Sequence, residues 1–166
     1  MEPLKAELVV LGAGPGGYAA AFYAADKGMQ VLLADQDKRL GGVCLNRGCI
    51  PSKALLHATE LMREAKEASP RRGITFGEPR VDLGKLRIWK ESILEKLGQG
   101  ISGLSQRRGV KVLRGRGYFE DSHTLRVETP EGQQLVTYEH AIVAVGSKPA
   151  MPKAFDLGNP RVMTST

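Results

Sequence analysis

Sulfur is scarce in this chain. Cys44 and Cys49 are the only cysteines among 166 residues, which excludes a small disulfide-stapled scaffold and leaves an apolar core to hold the fold. Aromatic residues are also few, at 5%, with Trp89 the single tryptophan. The net charge is +6, but its basic residues, such as Arg71, Arg72, Arg107 and Arg108, are dispersed. A nucleic-acid surface needs a basic face interleaved with stacking rings, and neither is assembled here. No apolar run approaches the roughly 18–20 residues that cross a bilayer. The opening MEPLKAELVV carries two acids and shows no signal-peptide pattern, which points to a cytoplasmic setting. Three histidines, His57, His123 and His140, lie far apart and with two cysteines make no zinc set.

What is present is periodic. Residues 7–11, ELVVL, form a short apolar run, and GAGPGG follows at once. An alanine-rich helical segment then runs to Gly28, and MQVLLAD follows as a second buried strand. Strand, glycine turn, helix and strand make a βαβ unit, hence a parallel sheet. Residues 54–68 predict a helix ended by Pro70. Leu83, Leu86, Trp89, Ile93, Leu97, Ile101 and Leu104 fall in steps of three and four, predicting one apolar face of a long helix. Short β-type runs at 110–113, 118–119, 125–127 and 135–138 predict a three-stranded meander. Residues 140–149, HAIVAVGSKP, predict a last buried strand. The expected organisation is a domain over 1–149 and a linker over 150–166.

Gly12-Ala13-Gly14-Pro15-Gly16-Gly17 matches the dinucleotide fingerprint in its required context, after a strand and before a helix. Gly12 would make the tight turn, Gly14 would admit a pyrophosphate, and Gly17 would let the helix pack closely. Asp35 ends the next strand, where a carboxylate can accept ribose hydroxyls. The fingerprint does not separate FAD from NAD. A second match, at 98–103, lies inside the long helical pattern with no strand before it, and is assigned to packing.

The stretch GGVCLNRGCIPSK holds both cysteines. A thioredoxin-type pair would have two intervening residues, and here there are four. Two unrelated thiols and a redox-active disulfide beside a cofactor remain, with the second favoured. If the two are bonded, they cannot share a regular helix. Residues five apart in a helix have Cα atoms about 8.7 Å apart, and a disulfide tolerates at most about 7 Å. Gly48 and Pro51 are the expected sources of distortion.

This segment resembles the active-site stretch of the flavin-dependent pyridine nucleotide–disulfide oxidoreductases. The CxNxGCxPSK frame begins 27 residues after Gly17, and the likeness spans essentially the whole chain. Leu45 and Ile50 lean toward the members that oxidise dihydrolipoamide, and away from the glutathione, trypanothione and mercuric reductases. The resemblance implies an α/β, Rossmann-like FAD-binding domain with crossover helices and a three-stranded meander. It implies a Cys44–Cys49 disulfide, with Cys44 the more exposed interchange thiol and Cys49 facing the flavin. It further implies that Gly42, Val43, Lys53, Gly117, Val145, Gly146 and Ser147 line the FAD site. Lys53 would reach the flavin N5 region and Gly117 would pass the adenine.

Val43 and Val145 stand where the family often has threonine, and Asp35 where glutamate is usual, so the ribose contact should be longer or shared with water. His57 is expected to be an ordinary helix residue. One valid fingerprint leaves the NAD site and the acid–base pair outside this sequence, so the chain is expected to be the N-terminal part of a longer enzyme and inactive alone. The implied partners are the lipoyl domain of an acyltransferase component and a second copy of the parent chain in a homodimer. Another disulfide or mercuric reductase, or a nucleotide-binding thiol sensor, are the alternatives.

Overall fold

A computed structural model describes residues 2–164. β1 (Leu4–Leu11), α1 (Pro15–Asp26) and β2 (Val31–Asp35) form the expected βαβ unit. β1 and β2 are parallel, pairing Val9 with Leu32 and Leu11 with Ala34. Both strands are buried on their two faces, which is why they read as continuous apolar runs rather than alternating ones. Leu8, Val10, Val31 and Leu33 pack against α1 through Ala21 and Phe22. Val9, Leu32 and Ala34 pack on the opposite face against Leu125, Val127 and Val136. Pro15 starts α1, where its missing N–H removes no helical bond, and Gly28 at φ +90° ends the turn behind it.

Three crossover elements follow: α2 (Gly42–Arg47), α3 (Cys49–Arg63) and α4 (Leu83–Arg107). α3 starts earlier than residue 54 and runs on as a wider π turn, Glu64–Ala68. Pro51 occupies its first turn, where no intrahelical N–H is needed, so the proline fits the helix rather than distorting it. α4 begins at Asp82, whose side chain accepts the Lys85 N–H at 3.0 Å. Its buried positions are Leu94, Gly98 and Ser105, with Ile101 and Leu104 packed against the core. This corrects the expected stripe: Leu83, Trp89 and Leu97 are exposed. Leu86, Ile93, Ile101 and Leu104 of the stripe are half-buried, and Ile101 and Leu104 are the two that pack against the β1–β2–α1 core.

β3 (Lys111–Arg114) joins β2 in parallel, and β4 (Arg116–Phe119), β5 (Thr124–Thr129) and β6 (Gly132–Val143) form the antiparallel meander. The six-stranded order is β3-β2-β1-β6-β5-β4. The runs at 135–138 and 140–149 are one strand, not two: β6 pairs with β5 as far as Thr137 and with β1 as far as Val143. The expected burial of 140–149 is also corrected. Beyond Tyr138, β5 has ended its pairing and β6 is exposed, with Val143 at 62%. No helix among the described residues is long and apolar enough to cross a membrane.

Leu33 is fully buried between β2 and α1. Leu33→Ala should cost about 2–5 kcal/mol in chemical denaturation, the range for a leucine cavity in a well-packed core. A loss below about 1 kcal/mol would show that the helical face is not close-packed there.

Candidate functional site

The glycine turn sits where β1, β2 and β6 end. The Gly12 N–H donates to Ala34 O at 2.8 Å, and the Ala144 N–H to Leu11 O at 2.8 Å. Gly12 has φ +102°, and a Cβ there would strike the Ala144 carbonyl. A Cβ on Gly17 would strike the Gly12 carbonyl. These two glycines are demanded by the chain's own packing.

Gly14 differs. Its φ is −70°, and a Cβ would meet nothing closer than Gly42 Cα at 3.9 Å. A Cβ on Gly16 would meet nothing within 4 Å. Gly14 caps α1 without a side-chain hydrogen bond, and no acid lies in the first turn. Unpaired N–H groups and the positive end of the helix dipole therefore face open space, a fit for phosphate oxygens.

Asp35 lies beside this turn. Its carboxylate accepts N–H groups from Ala13 and, at 2.7 Å, from Asp37. Its main-chain oxygen accepts the Gly115 N–H at 2.8 Å. A cleft of about 720 Å³ opens next to it, walled by Lys38, Arg47, Arg114 and the Gly98–Gly103 stretch of α4. The second glycine match is thus a wall residue set. A Cβ on Gly98 would lie 2.6 Å from the Arg39 side chain, in keeping with a packing role.

The cysteine segment packs directly on the glycine turn. Gly41 (φ +113°) and Gly42 (φ +60°) bring α2 in, and a Cβ on Gly42 would lie 2.6 Å from Gly14 Cα. Cys44 sits in α2. Gly48, at φ −134° and ψ −107°, breaks the helix, and Cys49 opens α3. The two cysteines form a disulfide with Cα atoms 4.7 Å apart, well short of the helical separation. The break at Gly48 is what brings them together. Asn46 Nδ2 donates to Arg39 O at 3.1 Å, and Arg47 forms a two-bonded pair with Asp37 at 3.2 and 2.9 Å. Cys49 is exposed and Cys44 half-buried, which is the reverse of the exposure order the resemblance implies.

The remaining expected residues spread around this centre. Val43 and Lys53 are exposed, with Lys53 one turn after Cys49. Val145, Gly146 and Ser147 follow β6 as exposed chain, with Val145 next to Gly12 and Gly146 turning at φ +71°. Gly117 is a β4 residue opposite Val127, and a Cβ there would lie 2.6 Å from Leu11 Cδ1, so a larger residue would have to displace that side-chain end. His57 is an exposed position of α3. Ala13, Gly41 and Gly115 escaped the sequence reading. Only Gly41, in the glycine pair before Cys44, carried a visible signal.

Comparison with known proteins follows the same lines. Residues 6–164 match the family model described as pyridine nucleotide-disulphide oxidoreductase. The chain belongs to this family. It is 47% identical over 165 residues to dihydrolipoyl dehydrogenase of Vibrio cholerae, covering 99% of this chain and 34% of that protein. With the Bacillus subtilis dihydrolipoyl dehydrogenase it shares 43% identity over 164 residues, covering 99% and 34%. The chain thus spans about a third of the length of the curated relatives it matches. Among solved structures, it resembles a Cu(II) complex of a cysteine-to-serine mutant of the HOCl-induced flavoprotein disulfide reductase RclA from Escherichia coli. The TM-score is 0.73 at 25% identity, covering 90% of this chain and 30% of that one.

Proposed function

We propose that this chain is the FAD-binding part of a dihydrolipoyl dehydrogenase, which oxidises dihydrolipoamide with NAD as the final acceptor. The observation that carries the reading is the contact of Gly42 with Gly14, which seats the disulfide segment on the phosphate-binding turn. The Gly14 and Gly16 backbones and the α1 N-terminus would hold the pyrophosphate, and Asp35 the ribose. Val43, Lys53, Gly117, Val145, Gly146 and Ser147 are proposed to line the rest. FAD supplies a two-electron acceptor beside the thiols.

The chain's own residues perform the exchange. A substrate thiolate attacks Cys44 Sγ, the Cys44–Cys49 bond breaks, and Cys49 leaves as a thiolate. The second substrate thiolate then attacks the sulfur bound to Cys44. The substrate closes to a cyclic disulfide and Cys44 is released. Two electrons have entered the cysteine pair. Cys49 opens the 15-residue α3, whose N-terminal N–H groups stabilise its thiolate.

NAD, the acid–base pair, a lipoyl domain as substrate carrier and a homodimeric partner belong to the same proposal, in a cytoplasmic setting where a disulfide is turned over rather than kept. The closeness in sequence to dihydrolipoyl dehydrogenases favours lipoamide over the substrates of other disulfide or mercuric reductases. Anaerobic titration of the full-length parent enzyme with dihydrolipoamide tests this. A long-wavelength thiolate–flavin band should grow as the disulfide is reduced. A flavin-free protein, as for a thiol sensor, or a flavoprotein showing no band would overturn the reading.

A further inference from the structure

Helix α2 has only six residues and cannot hold itself in place. Its two ends lead back to one side chain. At its start, the Gly41 N–H donates to Ala13 O at 2.9 Å, and the Ala13 N–H donates to Asp35 Oδ2. Ala13 is fully buried, so neither of its polar groups has water to turn to. At its far end, Arg47 grips the Asp37 carboxylate at 2.9 Å, and the Asp37 N–H donates to Asp35 Oδ1 at 2.7 Å. Each carboxylate oxygen of Asp35 thus serves one end of the helix that carries Cys44.

We infer that Asp35 is a positioning residue for the disulfide, holding both ends of α2 through Ala13–Gly41 and through Asp37–Arg47. A carboxylate offers about four acceptor sites. Two are used here, and two remain for ribose hydroxyls, so this duty coexists with cofactor binding. Release of α2 lets Cys44 move away from Cys49, which sits on the separately anchored α3. The inference concerns contacts within the chain and is tested without flavin.

The test uses the flavin-free full chain as wild type, Asp35→Asn and Asp35→Glu. The asparagine variant keeps the shape but has one acceptor oxygen, so it cannot serve both N–H groups. Each protein is equilibrated with mixtures of dithiothreitol and its oxidised form. The reagent gives two electrons and two protons, the Cys44–Cys49 bond opens to two thiols, and the reagent closes to its cyclic disulfide. Alkylation and mass spectrometry report the reduced fraction, and hydrogen exchange reports peptides spanning 41–47. Asp35→Asn should reach half-reduction at a several-fold lower ratio of reduced to oxidised reagent and exchange faster over 41–47. Asp35→Glu, which keeps both carboxylate oxygens, should stay closer to wild type on both readouts. Wild-type values on both readouts for Asp35→Asn would overturn the inference. So would faster exchange throughout the chain with the reduction ratio unchanged, since that is general loosening. A wild type that binds no flavin would overturn the proposed function and leave this measurement intact.

Discussion

Gly14→Val should leave a folded protein that no longer retains flavin. The backbone there has an ordinary φ of −70°, and a Cβ would meet nothing of the protein closer than 3.9 Å. Replacing the N-cap glycine by valine should cost about 0.5–2 kcal/mol, short of losing the fold. The branched side chain would instead stand where the pyrophosphate meets the α1 N–H groups. Hydrogen bonds to charged oxygens contribute about 1.5–3 kcal/mol each, so losing two weakens flavin binding by at least about a hundredfold. Gly12→Val and Gly17→Val should fail differently, losing the fold itself, because their side chains collide with the Ala144 and Gly12 carbonyls. Flavin content measured after gel filtration, with thermal melts of the flavin-free proteins, separates the two kinds of failure. Wild-type flavin content in Gly14→Val would remove the pyrophosphate from this turn.

In the full-length parent enzyme, Cys44→Ser and Cys49→Ser should both lose nearly all lipoamide turnover, because exchange needs an attacked sulfur and a leaving one. Their spectra should differ. Cys44→Ser leaves a lone Cys49 thiolate at the start of α3, and the flavin-loaded protein should show the long-wavelength band without any reductant. Cys49→Ser should show none. The reversed pattern would exchange the two roles, and no band in either variant would separate the pair from the flavin. The order of alkylation in the reduced protein should depend on flavin. Without it, exposed Cys49 reacts before half-buried Cys44. With it, Cys49 is covered and Cys44 reacts first. An order unchanged by flavin would count against Cys49 as the covered sulfur.

Much of this site was legible because its requirements are local. The glycine spacing after an apolar run needs only the neighbouring residues to specify a turn and a helix start, and Asp35 closes the strand that such a unit must contain. Once the family resemblance implies a Cys44–Cys49 bond, the five-residue separation is incompatible with one regular helix, so a break near Gly48 is expected. The α4 stripe was misplaced for the opposite reason. Apolar residues recur along its whole length, but only Ile101 and Leu104, near its C-terminal end, pack against the β1–β2–α1 core. Likewise the AIV run in β6 reads as buried, yet Ile142 and Val143 are exposed because β5 stops pairing at Thr137.

The amino-acid sequence by itself determined the βαβ unit and the glycine turn, since each follows from periodicity or backbone freedom over a few residues, whereas the two short helices that carry the cysteines were not legible in it. Tertiary structure alone decided that Gly42 rests on Gly14, that Asp35 bends back to Ala13 and Asp37, and that Cys49 is more exposed than Cys44. Those are contacts between segments brought together only when the sheet closes. What covers a side chain, and which donor a carboxylate meets, depends on residues that no local pattern can name.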